Sequence, residues 1–96
     1  MPAFTVFAWD PGKADTNERT HGIDFGEASS AFLDRHALLM ADPDAAECFV
    51  LLAMSLPIRN PVVCRCRMEE QHVVRIISAR HATPGEIALY FRQASG

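Results

Sequence analysis

Apolar and polar positions change their spacing several times along this chain, and each change marks an element. The run FTVFAW (4–9) predicts a short first strand that ends at Asp10-Pro11. Asp10 can cap a helix and Pro11 suits its first position, so a helix is expected over 11–21, stopped by Gly22. That helix is polar almost all round, and Lys13, Asn17 and His21 recur at four-residue intervals, which puts them on one face. A second short helix follows, with Asp24 as cap, Glu27 three residues on, and Phe25, Ala28 and Phe32 as its apolar stripe. HALLMA (36–41) reads as a strand broken by the acidic turn DPDAAE, and CFVLLAMS (48–55) as a central strand, apolar on both faces.

Past the two-proline turn LPIRNP, the stretch VVCRCRM (62–68) alternates: Val62, Cys64, Cys66 and Met68 on one face, Val63, Arg65 and Arg67 on the other. Period two predicts a strand with one buried face, turned at Glu69-Glu70-Gln71 into a returning strand over 72–80. Thr83-Pro84-Gly85-Glu86 reads as a capping box opening a last helix that runs to about 93, anchored by Ile87, Tyr90, Phe91 and Ala94. The order is β, α, α, four strands, α. It predicts one α+β domain over 1–96, a mainly antiparallel sheet with two N-terminal helices and one C-terminal helix packed on it.

Composition narrows the function classes. An apolar fraction of 49% and a charged fraction of 22% belong to ordinary soluble globular domains. No apolar run approaches the roughly 20 residues of a membrane span, and the start lacks the pattern of a signal peptide, so a cytoplasmic location without membrane contact is expected. Net charge is −3, so the chain lacks the overall basic footprint of a nucleic-acid binder. Any such contact must be local, and Arg59, Arg65, Arg67, Arg75 and Arg80 are indeed grouped in the second half. Cys48, Cys64 and Cys66 are an odd set, two of them too close along a strand to pair comfortably, which fits reduced thiols. Cys64, Cys66 and His72 lack zinc-ligand spacing and no second pair completes a set, so neither metal nor cofactor is expected.

Three stretches together carry a family resemblance. WDPGKADTNERTHGIDFGEA (9–28), FVLLAMS (49–55) and RIISARHATPGEIALY (75–90) resemble, in order and separation, the motifs of the BrnT family. The resemblance implies a toxin of a type II toxin–antitoxin pair with a RelE-like fold, RNA as substrate, a cognate BrnA-like antitoxin as partner, and operator DNA reached only through that antitoxin. The chain departs from the family pattern at Cys48, where an arginine is usual, and at His81 and Pro84-Gly85, where further basic residues are usual.

Metal-independent RNA cleavage needs a base for the 2′-hydroxyl, cations for charge building on phosphorus and an acid for the leaving oxygen. Arg80, where an apolar strand emerges, offers a bidentate fork for phosphate, or it pairs with Glu86. Glu86 either caps its helix or takes part in catalysis, and Tyr90, one turn on, either reaches the same patch or packs. His21 can serve as acid or base, or be stabilised at a helix C-terminus. Lys13, Arg65, Arg67 and Arg75 are candidate RNA-backbone contacts, or solvated surface. The expected function is thus a ribonuclease toxin, the alternative a weakened or inactive protein-binding module of the same fold.

Overall fold

The computed structural model describes residues 5–95. Strand β1 (Val6–Ala8) leads into helix α1 (Pro11–His21), helix α2 (Phe25–Ser29) and a 3-10 turn (Ser30–Leu33). Strands β2 (Leu38–Ala41), β3 (Cys48–Ser55), β4 (Asn60–Glu70) and β5 (Val73–His81) follow, and helix α3 (Pro84–Ser95) closes the chain. Phe4, the expected first residue of the first strand, lies outside the described residues. The sheet order is β1-β5-β4-β3-β2, antiparallel except where β1 runs parallel to β5. This is the α+β architecture that the periodicity predicts. Among the described residues no helix is long and apolar enough to cross a membrane.

The capping signals act as their chemistry requires. Asp10 accepts from the Lys13 amide at the start of α1, Asp24 accepts from Gly26 at the start of α2, and Gly22 ends α1 at φ +70. Alternation along β3 and β4 sends side chains to two cores. Cys64, Cys66, Leu51 and Ala53 pack with Ile23, Phe25 and Ala28 under α1 and α2. Leu52 and Val63 pack with Tyr90, Leu89 and Ala94 of α3 on the other face.

Two details differ from expectation. The hairpin turns at Gln71-His72 because β4 extends to Glu70 through a register irregularity after Met68, and Met68 itself is exposed rather than core. Alternation marks a face but not how far the covering helices reach. Phe91 is likewise largely exposed, its ring edge-on to Tyr90, while Leu89 and Ala94 carry that part of the packing.

The feature that shapes the site is a bulge in β5. Arg65 pairs with Ser78 but the next residue, Cys66, pairs with Ile76, leaving Ile77 as the extra residue. A regular strand would send Arg75 and Arg80 to opposite faces, since five positions separate them. With Ile77 unpaired, Arg75 (opposite Arg67), Ser78 (opposite Arg65) and Arg80 (opposite Val63) share the α3 face.

Candidate functional site

Helix α1 is fixed by its one buried side chain. Strand β1 pairs with β5 only as far as Arg75, so the edge of β5 beyond it needs other partners. Asn17 supplies them: its Oδ1 accepts from the Ala79 amide at 3.0 Å, and its Nδ2 donates to the Ala79 carbonyl at 2.9 Å and to the Ile23 carbonyl at 3.1 Å. A side-chain amide thus stands in for a strand neighbour. The docking opens a groove of about 630 Å³ between α1 and the β5 edge, lined by Lys13, Thr16, Thr20 and His21 from the helix and by Ile77 and Ser78 from the strand.

Ser78 also lines a second cleft, of about 420 Å³, on the α3 face, together with Arg65, Arg80, Asp42 and Val63. The two concavities adjoin at this residue. Arg65 donates through Nε to Asp42, whose buried carboxyl is held below the usual carboxylate range by the Asp44 amide and by Arg65.

Arg80 and Glu86 meet in a two-pronged pair, Nη1 to Oε1 at 2.8 Å and Nη2 to Oε2 at 3.0 Å. The capping box is complete as well: Glu86 Oε1 accepts from the Thr83 amide at 2.8 Å and Thr83 Oγ1 accepts from the Glu86 amide at 3.2 Å. Glu86 therefore caps α3 and orients the guanidinium together. Arg80 first, and then the Thr83 amide, hold its carboxyl down at about 2 against a usual 4.5. A folded-state pKa below the unfolded one means stabilisation that is full above pH 4.5 and fades as pH falls toward 2. For a carboxylate this exposed it amounts to about 1–2 kcal/mol after solvent screening, cap and pair together, of which the pair supplies no more than about 1 kcal/mol. Glu86→Gln keeps the cap but loses the charge, so acid titration of unfolding should show a shallower loss of stability over that range, and an unchanged slope would count against the pair.

Tyr90 lies elsewhere. Its hydroxyl donates to Asp34, which also accepts from the Met54 and His36 amides, and Tyr90, Asp34 and Met54 border a third cavity of about 240 Å³ with Leu33 and Leu56. Burial, and then the bond to Asp34, push the tyrosine up to about 12. Of the three groups expected to converge, Arg80 and Glu86 do so, while the phenol ties α3 to β3 and to the loop before β2.

The other two candidate arginines of the sheet, Arg67 and Arg75, share one acid partner. Arg75 donates to Glu69 through Nε, and Arg67 reaches the same carboxylate at 3.4 Å. Asn17 is legible only as part of the Lys13-Asn17-His21 spacing; Asp34, Asp42, Glu69 and Ser78 carry no local signal. Cys64, raised to about 12, and Cys66, raised further, owe this to burial and are poor nucleophiles. Among the described residues no group of three or more His, Cys, Asp or Glu is placed to hold a metal ion.

The comparisons agree with this architecture. A search of curated protein sequences found no match. The fold is similar to the crystal structure of the Brucella abortus ribonuclease toxin BrnT, solved at 1.1 Å, with a TM-score of 0.65 and 21% identity over 82% of this chain and 99% of that one. The family model described as the ribonuclease toxin BrnT of type II toxin–antitoxin systems matches residues 9–86. That span includes Lys13, His21, Arg65, Arg67, Arg75, Arg80 and Glu86 and stops short of Tyr90, and by it the chain belongs to the BrnT family.

Proposed function

We propose that this protein is a metal-independent endoribonuclease toxin held in check by a cognate, BrnA-like antitoxin. The observation that carries the reading is the junction at Ser78, where a cleft holding a carboxylate-oriented arginine adjoins a groove lined by Lys13 and His21. Arg80 binds the scissile phosphate through the guanidinium N–H groups that do not face Glu86 and offsets charge building on its oxygens, with Glu86 fixing the plane of the group. Glu86 itself, with so low a pKa, is a weak base. His21 is the group assigned to proton transfer, and Lys13, Arg65, Arg67 and Arg75 contact neighbouring phosphates. Tyr90 acts as a positioning residue, fixing the helix that carries Glu86 through its bond to Asp34.

The reaction is attack of the 2′-hydroxyl on the adjacent phosphorus, forming a cyclic phosphodiester as the 5′-oxygen leaves with a proton. Purified protein with chelator present should therefore cut single-stranded RNA to 2′,3′-cyclic phosphate ends and leave a 2′-deoxy analogue whole. Cleavage of the deoxy strand, or a strict need for divalent metal, would sink this mechanism. An acidic toxin leaves operator binding to the antitoxin, and the cytoplasm, where both RNA and antitoxin are met, is the place of action.

A second reading has its own support. Arg65, Arg67, Arg75 and Arg80 all face a carboxylate of this chain, and Cys48 stands where the family usually has arginine. A protein-binding module with little catalysis fits those facts, and expression without growth arrest but with tight antitoxin binding would favour it.

A further inference from the structure

Arg67 on β4 and Arg75 on β5 are directly opposite one another, on the same sheet face as Arg65 and Arg80. Facing like charges repel, so a cross-strand arginine pair needs an anion between its forks. Glu69 provides it: Oε1 accepts from Arg75 Nε and from Arg67 Nη2 at 3.4 Å, and Oε2 accepts from Arg75 Nη2 at 3.4 Å. All three side chains remain partly open to solvent, so this carboxylate can be displaced. A phosphodiester presents to guanidinium groups the same pair of oxygens that a carboxylate does.

We infer that Arg67 and Arg75 form a second phosphodiester-binding subsite on the path to the Arg80 cleft, and that Glu69 fills it while RNA is absent. The inference rests on the RNA-cleaving reading above and adds to it a carboxylate competitor built into the chain. Arg75 is five residues before Arg80 on the same strand, about 15 Å at strand rise, so the subsite grips a different phosphate from the one at Arg80. It contributes to binding and not to the chemical step. An incoming strand must first move Glu69 aside, which lowers affinity and makes the net gain at this position small.

The test measures affinity for a single-stranded 2′-deoxy oligonucleotide, which the proposed chemistry cannot cut. Glu69→Gln should bind about three- to tenfold tighter at low salt, since the strand no longer has to displace a carboxylate from the two guanidinium groups, and the gain should shrink as salt rises. Glu69→Ala should do the same, and a second substitution, Arg75→Ala, should remove the gain. Thermal unfolding of each variant identifies any that fails to fold; the other Glu69 variant then decides. Affinity equal to or below wild type in both, or a gain that persists without Arg75, overturns the subsite. That failure is separable from failure of the function, because cleavage by wild type and its dependence on Arg80 are read on a ribose substrate.

Discussion

Arg80→Ala is expected to lower RNA cleavage by about 10²–10³-fold, the usual cost of losing one preorganised donor to developing charge. The guanidinium is oriented before substrate arrives, since both its terminal nitrogens are engaged by Glu86. Orientation in advance is what makes a fixed cation more effective than a mobile one. Arg80→Lys should recover only a small part of the loss, because an ammonium on a flexible stem cannot keep Glu86 and also present further N–H donors to phosphate in fixed directions. Folding should change little. Glu86 keeps its bond to the Thr83 amide in the variant, and an ion pair this exposed adds only about 0–1 kcal/mol beyond the cap. Growth arrest on expression gives a second readout, and it should disappear with the cleavage. Activity within a factor of a few of wild type would remove Arg80 from the chemistry and favour the module reading.

Asn17→Ala should be the most destabilising single change of a polar residue in the molecule. Three hydrogen bonds go at once, leaving the Ala79 amide and the Ala79 and Ile23 carbonyls to whatever water enters the groove. Each buried group left unsatisfied costs about 1–3 kcal/mol, and partial rehydration brings the sum to about 2–4 kcal/mol. Against the 5–15 kcal/mol typical of a domain this is a large fraction, and the midpoint of thermal unfolding should fall on the order of 10–20 °C. Asn17→Asp should be at least as harmful, since a carboxylate would face two carbonyl oxygens with no proton to offer. Denaturant titration gives the free energy directly. A loss below about 0.5 kcal/mol, the range of ordinary surface substitutions, would mean that α1 is held by packing alone.

Much of the fold is legible in the residues themselves. Period-two alternation over 62–67 marks β4, Asp10, Gly22 and the Thr83–Glu86 box mark helix ends, and the apolar run 48–55 marks a central strand, because each signal depends on contacts within a few residues. The Arg80–Glu86 pair is legible for the same reason, since both partners lie at one strand–helix junction. Asp34 and Tyr90 are 56 residues apart in sequence, and Asn17 and Ala79 are 62 apart, so no local pattern announces either contact.

What the sequence by itself determined is therefore the set of elements, their caps, and the one charged pair formed where two of them join. Only the tertiary structure decided which arginines share a surface. A count by twos separates Arg75 from Arg80, and the extra residue Ile77 reunites them, because the parity of a strand is reset wherever its pairing with a neighbour skips a position. Skips of that kind are settled by how β4, β5 and α1 fit together in space, which no single segment encodes.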